Sequence, residues 1–270
     1  MEYKNIQCTT LLNKITKKDK LFKGEYTLDP YQNCEFGCAY CDSSYDKTIY
    51  IKTNAAQQLE KEIKTIQKGT IIIGSVSDAY QKAEKSYNIT RDLLKIIERY
   101  DFPCHILTKS NLILRDMDLL SKMNNCKTTI STITLDQTIS DIFEKNTPSP
   151  LERLKIIEKL SEIGIKTGIA IIPILPYLVE NELEKIIKSA NNYKANYILY
   201  KHLELKGDQK NIFIKILEET YPHLVKNYRE LYMDSYMPGD TYVSKINSTI
   251  EKLCVKYKIK NRVWDVKIIS

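Results

Sequence analysis

Short apolar runs rich in isoleucine, leucine and threonine alternate along the chain with longer segments in which apolar residues recur every three or four positions. The runs predict strands at 24–30, 70–74, 104–109, 128–135, 167–175 and 195–203. The longer segments predict helices at 54–68, 89–100, 110–123, 150–163 and 180–192. Strands joined by helices pair through right-handed crossovers, so this α/β pattern predicts a parallel sheet, either doubly wound or barrel-like.

The helix predicted at 150–163 has the clearest end signals. Ser149 is the predicted N-cap, Pro150 takes the first helical position and Glu152 the third, which together make a capping box. Gly164 marks the carboxyl end of the helix. These local signals predict both limits of the helix without reference to the rest of the fold.

Three cysteines, Cys34, Cys38 and Cys41, follow the first predicted strand with the spacing C-x3-C-x2-C. The loop after a parallel strand lies at the carboxyl edge of the sheet, where active sites form. Three thiolates on one loop suit a [4Fe–4S] cluster, which would leave one iron open to a small molecule. A structural zinc site needs a second ligand pair, and the sequence offers none. Zinc and inert thiols are the alternatives to the cluster.

This cysteine spacing, with the aromatic Tyr40 before the last cysteine, resembles the radical S-adenosylmethionine (SAM) superfamily. The segments "TLDPYQNCEFGCAYCDS", "GSVSDAYQKAEKSYNITRDLLKIIE", "ILTKSNLILRDMDLL", "STITLD" and "NTPSPLERLKIIEKL" resemble its spore photoproduct lyase-like branch. The resemblance implies that SAM chelates the open iron. One electron then cleaves SAM to a 5′-deoxyadenosyl radical, which abstracts hydrogen from the substrate.

The same resemblance implies the architecture. We expect a partial (β/α)6 barrel of the TIM type over residues 24–220. An N-terminal extension at 1–23 precedes it, and a C-terminal helical extension at 221–270 packs on the barrel or covers its mouth.

The strand ends supply further candidates for cofactor binding. Ser77 and Asp78 follow the second predicted strand and offer an acceptor and a carboxylate to the ammonium group of SAM. The resemblance places Tyr40 against the adenine, Lys109 and Ser131 near the carboxylate or ribose, and Pro173 under the adenine. Ordinary roles are the alternatives: turn capping for the Ser–Asp pair, a surface lysine, a packing aromatic ring, and a proline that ends a strand.

Candidates for hydrogen transfer lie near the predicted mouth. Tyr45 and Tyr80 are candidates to relay a hydrogen atom, and ordinary packing of their rings is the alternative. Ser75 occupies the position at which spore photoproduct lyases carry a hydrogen-donating cysteine. Because a serine O–H group is a far poorer hydrogen-atom donor than a thiol, this substitution argues against repair of thymine dimers.

Composition limits the remaining choices. The net charge of +7 comes from 41 basic and 34 acidic residues, which gives only weak support to nucleic-acid binding. No apolar run is long enough to span a membrane, and the N-terminus has no secretory signal, so a cytoplasmic protein is expected. The expected substrate is a nucleic-acid base or lesion, and the expected partner is a small electron donor such as flavodoxin or ferredoxin. A peptide or metabolite substrate, and a non-catalytic metal-binding or electron-transfer protein, are the alternatives.

Overall fold

A computed structural model gives the structure of residues 1–17 and 19–263. The strands are β1 (Glu2–Ile6), β2 (Leu12–Lys14), β3 (Tyr26–Leu28), β4 (Tyr31–Gln32), β5 (Thr48–Lys52), β6 (Ile71–Ile73), β7 (Cys104–Thr108), β8 (Cys126–Ser131), β9 (Lys166–Ile174) and β10 (Tyr197–His202). The α-helices are α1 (Ala55–Glu62), α2 (Glu84–Tyr87), α3 (Ile89–Arg99), α4 (Met117–Leu120), α5 (Gln137–Phe143), α6 (Pro150–Glu162), α7 (Leu183–Asn192), α8 (Asp208–Thr220), α9 (Val225–Leu231) and α10 (Asp240–Lys256).

The main sheet has seven strands in the order β10-β9-β8-β7-β6-β3-β2. From β10 to β3 every neighbouring pair is parallel, whereas β2 runs antiparallel to β3. The six parallel strands are the six that the sequence predicts. Within the described residues β10 and β2 form opposite edges, so the sheet is an open, partial barrel of the TIM type, as predicted.

A second, three-stranded sheet was not predicted. β1 pairs in parallel with β5, and β4 pairs with β5 on the other side in the antiparallel sense. The N-terminal extension therefore contributes to both sheets, through β1 and β2. Nothing close to β1 in the sequence indicates its partner, because the paired strands lie more than forty residues apart.

The predicted helices form with small differences at their ends. The capping box of α6 is present: Ser149 accepts from the Glu152 backbone N–H, and Glu152 Oε2 accepts from the Ser149 N–H at 2.8 Å. The helix predicted at 110–123 is instead a 3-10 helix, Asn111–Asp116, followed by the short α4. The predicted C-terminal extension at 221–270 contains α9 and α10, and α10 packs against α7, while its residues 264–270 lie outside the described part of the chain. No described helix is long and apolar enough to cross a membrane.

The concave face of the sheet encloses a narrow interior. A separate apolar cluster fills it, formed by Ala170, Tyr197, Leu199 and Val263 with Phe22, Leu107 and Ile172 packed against them. Gly168 on β9 makes room for the neighbouring ring, since a Cβ there would lie 2.2 Å from Tyr197 Cε2. The segments before β3 and after α10 thus supply side chains that plug the amino end of the barrel. The carboxyl end stays open.

Candidate active site at the carboxyl ends of the strands

A cavity of about 320 Å³ lies at the carboxyl ends of the parallel strands. Ten of the residues predicted for the site line it: Cys34, Cys38, Tyr40, Cys41, Ser75, Ser77, Asp78, Lys109, Ser131 and Pro173. They come from five separate loops and strand ends. The structure gathers these residues at one edge of the sheet, and their binding roles stay predictions.

The cysteine loop enters the cavity between β4 and β5. Cys34 and Cys38 are buried, Cys41 is half-buried, and all three are free thiols. The Cys34 N–H donates to Ser43 O at 2.7 Å, and the Cys41 N–H donates to Cys38 O at 3.1 Å. Gly37 has φ +65°, a left-handed conformation that glycine adopts without strain. The loop is therefore a tight, self-bonded turn that carries all three thiols to the cavity wall.

The loop is held in place by the segment after α5. The Ala39 N–H donates to Phe143 O at 2.9 Å, and the Asn146 N–H donates to Phe36 O at 3.1 Å. Cys38 also forms an isolated antiparallel bridge with Glu144. More than one hundred residues separate the two segments, so tertiary contacts fix the conformation of the loop.

Burial affects the acidity of the cysteines. It raises the pKa of Cys34 to about 11 and the pKa of Cys38 to about 12. These thiols are protonated at neutral pH until a metal displaces their protons. No three His, Cys, Asp or Glu side chains in the described residues are spaced for a single metal ion. Because a cube of iron and sulfide spreads its ligands more widely, the three cavity-facing thiols fit an iron–sulfur cluster better than zinc.

Asp78 ties the ends of β6 and β7 together. Its carboxylate accepts from Thr108 Oγ1 at 2.7 Å, from the Lys109 N–H at 2.8 Å and from the Tyr80 N–H at 2.9 Å. Burial raises the pKa of Asp78, against these hydrogen bonds. Asp78 therefore does cap the turn, which was the alternative interpretation of the Ser–Asp pair. The carboxylate also borders the cavity, where it is available to a ligand cation.

Asp29 is a site residue that the sequence reading missed. Its carboxylate accepts from the Val76 N–H at 3.0 Å, the Ser77 N–H at 3.2 Å and Ser75 Oγ at 3.3 Å. Asp29 thereby sets the conformation of the loop that carries both Ser75 and Ser77. In the sequence Asp29 lies between a strand and Pro30, and this position is equally typical of an ordinary turn.

A buried group of charges lies behind Tyr40, and it was also missed. Glu144 accepts from Tyr40 Oη and pairs with both Arg153 and Lys109, whose Nζ lies 3.8 Å from Glu144 Oε1. Burial alone would raise the pKa of Glu144, but the charges of Arg153 and Lys109 outweigh it and hold that pKa below its ordinary value. The cavity lysine is thus anchored and charged.

Arg153 connects this group to the rest of the site. It is fully buried on α6, and it donates to Ser131 O at 3.1 Å and to Pro148 O at 2.8 Å. Ser131 therefore faces the cavity with its backbone fixed by a guanidinium. Pro173, on β9, lies on the same wall and follows a cis peptide bond.

The two tyrosines predicted as hydrogen relays do not reach the cavity. Tyr80 is 1% exposed and packed in the main core, and Tyr45 is 41% exposed at the surface. Neither lines the described cavity wall. Their nearness to the cysteine and Ser–Asp motifs in sequence gave the wrong expectation, because backbone direction sends their side chains elsewhere.

Comparisons with known proteins agree with this geometry. The family model of the radical SAM superfamily matches residues 28–190. An uncharacterized protein of Methanocaldococcus jannaschii is 30% identical over 250 residues, covering 88% of this chain and 91% of that protein. The structure of spore photoproduct lyase complexed with dinucleoside spore photoproduct is similar in fold, with TM-score 0.76 and 15% identity, over 97% of this chain and 82% of that one.

A more distant structural similarity is to Streptococcus suis SuiB bound to precursor peptide SuiA. Its TM-score is 0.51 and its identity 16%, over 75% of this chain and 46% of that one. The open parallel barrel and the cysteine loop define a class of enzyme with an iron–sulfur cluster at the carboxyl end of its strands. The chain belongs to the radical SAM superfamily, which implies both the cluster and SAM.

Proposed function

We propose that this protein is a radical SAM enzyme that binds a [4Fe–4S] cluster through Cys34, Cys38 and Cys41 and acts on a nucleic-acid base or base lesion. The observation that carries the proposal is the meeting of three free thiols with Asp78 and Lys109 in one cavity. When bound, these cofactors supply one-electron cleavage of SAM to a hydrogen-abstracting 5′-deoxyadenosyl radical. A simple electron carrier has no need for a cation and a carboxylate beside its cluster.

Different residues of the cavity bind different groups of SAM in this proposal. The Asp78 carboxylate and Ser77 oxygen suit the ammonium group, and the anchored Lys109 ammonium suits the carboxylate. Tyr40 borders the same cavity and offers its ring to the adenine. Burial opposes the charge on Lys109, but the Cys38 thiolate that forms at the high pH where Lys109 titrates, together with Glu144, outweighs it, so the pKa of Lys109 lies above its ordinary value. The lysine therefore stays cationic across the physiological pH range.

Two features support the choice of substrate. The fold is similar to that of a lyase complexed with a dinucleoside spore photoproduct. Lys201 and Lys206 also line the cavity, where both pair with Glu204, so two cations share one carboxylate there. Ser75 also lines it, where the lyases carry a cysteine. A reaction that returns the hydrogen atom through a thiol at this position is therefore not proposed. Electrons for the cluster come from a small donor such as flavodoxin or ferredoxin.

The first experiment is anaerobic reconstitution with iron and sulfide, reduction, addition of SAM and chromatography for 5′-deoxyadenosine. We expect product from the wild type and none from Cys38→Ala. Cys8→Ala is the matched control, because Cys8 is half-buried, bonded to Asn54 and not among the residues that line the described cavity. Copurification of zinc at one ion per chain, or product from Cys38→Ala, would refute the proposal.

The substrate is tested separately. Damaged and undamaged oligonucleotides are titrated onto the reconstituted enzyme at several salt concentrations, and 5′-deoxyadenosine formation is followed with each. Binding through phosphates weakens steeply as salt rises. Salt-dependent binding with faster product formation supports a nucleic-acid substrate. If oligonucleotides do not bind, a peptide becomes the stronger candidate, as the similarity to the peptide-bound SuiB suggests.

A further inference from the structure

The segment that follows β6 holds one side of the cysteine loop. We propose that Gln81, in this segment, positions Cys34 for the iron–sulfur cluster and fixes it relative to Asp78. The inference rests on the proposed function, in which Cys34 is a cluster ligand and Asp78 binds the ammonium group of SAM. Gln81 does not line the described cavity, so it acts through Cys34 and is a positioning residue.

The side chain of Gln81 bonds to the backbone on both sides of Cys34. Its Oε1 accepts from the Glu35 N–H at 2.8 Å, and its Nε2 donates to Asn33 O at 3.1 Å. These two partners fix the orientation of the amide, because a turned amide would set donor against donor and acceptor against acceptor. Gln81 is fully buried, so water does not replace either bond. A single amide thus holds the backbone directly before and directly after Cys34.

A second attachment reaches the loop at Glu35. Its Oε2 accepts from the Ala83 N–H at 2.7 Å, two residues beyond Gln81, and its Oε1 accepts from Tyr3 Oη at 2.6 Å. Glu35 is 2% exposed and does not line the described cavity. Both carboxylate oxygens are therefore used to attach the loop, and neither is offered to a ligand.

The same segment carries the residue proposed to bind the ammonium group. The Gln81 N–H donates to Asp78 O at 3.3 Å, which joins the two residues in one turn. At the start of the segment, Ser77 Oγ donates to Tyr31 O at 2.7 Å. The segment and the loop are therefore bonded on both sides of Asp78 and on both sides of Cys34. A shift of one relative to the other requires at least one of these bonds to break.

The other half of the loop provides an internal contrast, because a different part of the chain holds it. The Ala39 N–H, next to Cys38, donates to Phe143 O at 2.9 Å. In the described residues the side-chain bonds of Gln81 reach only the backbone around Cys34. Loss of those bonds should therefore loosen the loop at Cys34 and leave it held at Cys38.

The first test is amide hydrogen exchange in the full chain without a cluster, followed by ¹H–¹⁵N spectra. Gln81→Met keeps the length of the side chain but bonds to neither Asn33 nor Glu35. We expect the Glu35 amide to exchange roughly 3- to 10-fold faster than in the wild type, as for one lost hydrogen bond. The Ala39 amide should exchange at the wild-type rate. Unchanged exchange of the Glu35 amide would overturn the inference.

A general loss of stability is separated from loss of positioning by a control. Thr128→Val removes a buried hydrogen bond at the amino end of the barrel, where the Thr128 hydroxyl lies 2.8 Å from Thr167 Oγ1. It should lower the unfolding midpoint without favouring exchange at Glu35 over exchange at Ala39. If Gln81→Met speeds exchange of both amides equally, its effect is general and the positioning role is refuted.

The second test follows anaerobic reconstitution with iron and sulfide. The reduced proteins are titrated with SAM, and the change in the EPR spectrum of the cluster gives an apparent Kd. We expect Gln81→Met to bind SAM roughly 3- to 10-fold more weakly, because Cys34 and Asp78 no longer keep their relative position. Thr128→Val should bind SAM as the wild type does.

A conservative variant sharpens the second test. Gln81→Glu keeps an oxygen for the Glu35 N–H but has no amine for Asn33 O. It should protect the Glu35 amide and bind SAM with an affinity between those of the wild type and Gln81→Met. Where Gln81→Met does not fold, Gln81→Glu decides the question, and wild-type affinity for SAM in that variant would overturn the inference.

The outcomes are distinguishable from those that bear on the proposed function. If the wild type binds the cluster and SAM, and Gln81→Met binds SAM equally well, the role of Gln81 is refuted and the radical SAM assignment stands. If the wild type gains no iron, the proposed function fails. Hydrogen exchange needs no cluster, so a Glu35 amide that stays protected in Gln81→Met would refute the attachment on its own.

Discussion

The two ends of the barrel are built from the same parallel strands, yet they hold opposite kinds of polar chemistry. At the amino end, neutral groups bond to one another: His105 Nε2 lies 2.6 Å from Thr129 Oγ1, and Tyr197 Oη donates to Thr128 O at 2.7 Å. At the carboxyl end, Glu144 and Arg153 are buried as charges, and the half-buried Lys109 lies beside them. Burial favours neutral groups. Only the charged groups at the carboxyl end therefore need oppositely charged partners.

The difference follows from what each end contains. Phe22 and Val263 close the amino end, so the polar groups there form their hydrogen bonds with one another. Burial, with a further effect from Lys127, lowers the pKa of His105 to about 3 and keeps its ring neutral. The proposed binding of SAM requires a cation and a carboxylate at the carboxyl end. Charges persist there because each is balanced by a partner, and the structure supplies those partners from α6 and the segment after α5.

The largest effect is expected from breaking the charge group at the carboxyl end. Arg153→Met leaves Glu144 buried with less compensation, and loss of one partner of a buried pair costs about 3–5 kcal/mol of unfolding free energy. Urea denaturation of the cluster-free protein measures it. Arg99→Met is the control, since that exposed pair with Glu60 should contribute less than about 1 kcal/mol. Equal costs for the two variants would contradict the prediction.

The packing of the amino end is tested by Gly168→Ala. The added methyl group would overlap the Tyr197 ring, with 2.2 Å between the new Cβ and Tyr197 Cε2. Overpacking of this kind costs about 1–3 kcal/mol, measured by thermal unfolding. Gly239→Ala is the control, because nothing lies within 4 Å of its Cβ position. A Gly168 variant as stable as the Gly239 variant would mean that the ring moves aside freely.

The neutral histidine predicts a dependence of stability on pH. The folded-state pKa of His105 is about 3, below the ordinary 6.5. Between these two pH values the imidazole is protonated in the unfolded chain but not in the folded one. The free energy of unfolding therefore decreases as pH falls from about 6.5 towards 3. Linkage gives a loss of about 2 kcal/mol between pH 8 and pH 5. Urea unfolding of the wild type and of His105→Gln measures it. The variant should lack this component, and parallel pH profiles would exclude the assignment.

The smallest effect concerns the helix that carries Arg153. Ser149→Ala removes the N-cap of α6, where Ser149 accepts from the Glu152 N–H, and should cost about 1 kcal/mol. Chemical denaturation measures it beside Lys155→Ala, an exposed position on the same helix. A cost no larger than that of Lys155→Ala would show that packing of α6 alone fixes its first turn.

Local signals account for the parts of the fold that were predicted. The six parallel strands and α6 follow from apolar runs, periodicity and end residues, all of which act over a few positions. β1 and β5 were missed because their pairing joins residues more than forty positions apart. The 3-10 helix at Asn111–Asp116 was read as α-helix, since apolar spacing over so short a stretch does not separate the two.

The residues of the candidate site likewise fall into those that the sequence predicted and those that it did not. Its cysteines, Ser77, Asp78, Lys109 and Ser131 occupy strand ends or the loop that follows a strand, and a parallel sheet brings such positions together. Asp29, Glu144 and Arg153 have no motif of their own. Tyr45 and Tyr80 have the right sequence neighbours but point away from the cavity.

The sequence by itself determined the class of fold, the three thiols and the edge of the sheet at which they lie, because these depend on residue types at short, regular spacings. Only the tertiary structure decided which charges stand behind the thiols and which carboxylate holds the loop of Ser75 and Ser77. Those choices depend on side-chain direction and on contacts between distant positions, such as Tyr40 and Glu144, which lie 104 positions apart. Burial then sets the protonation of each group, and burial is a property of the folded chain.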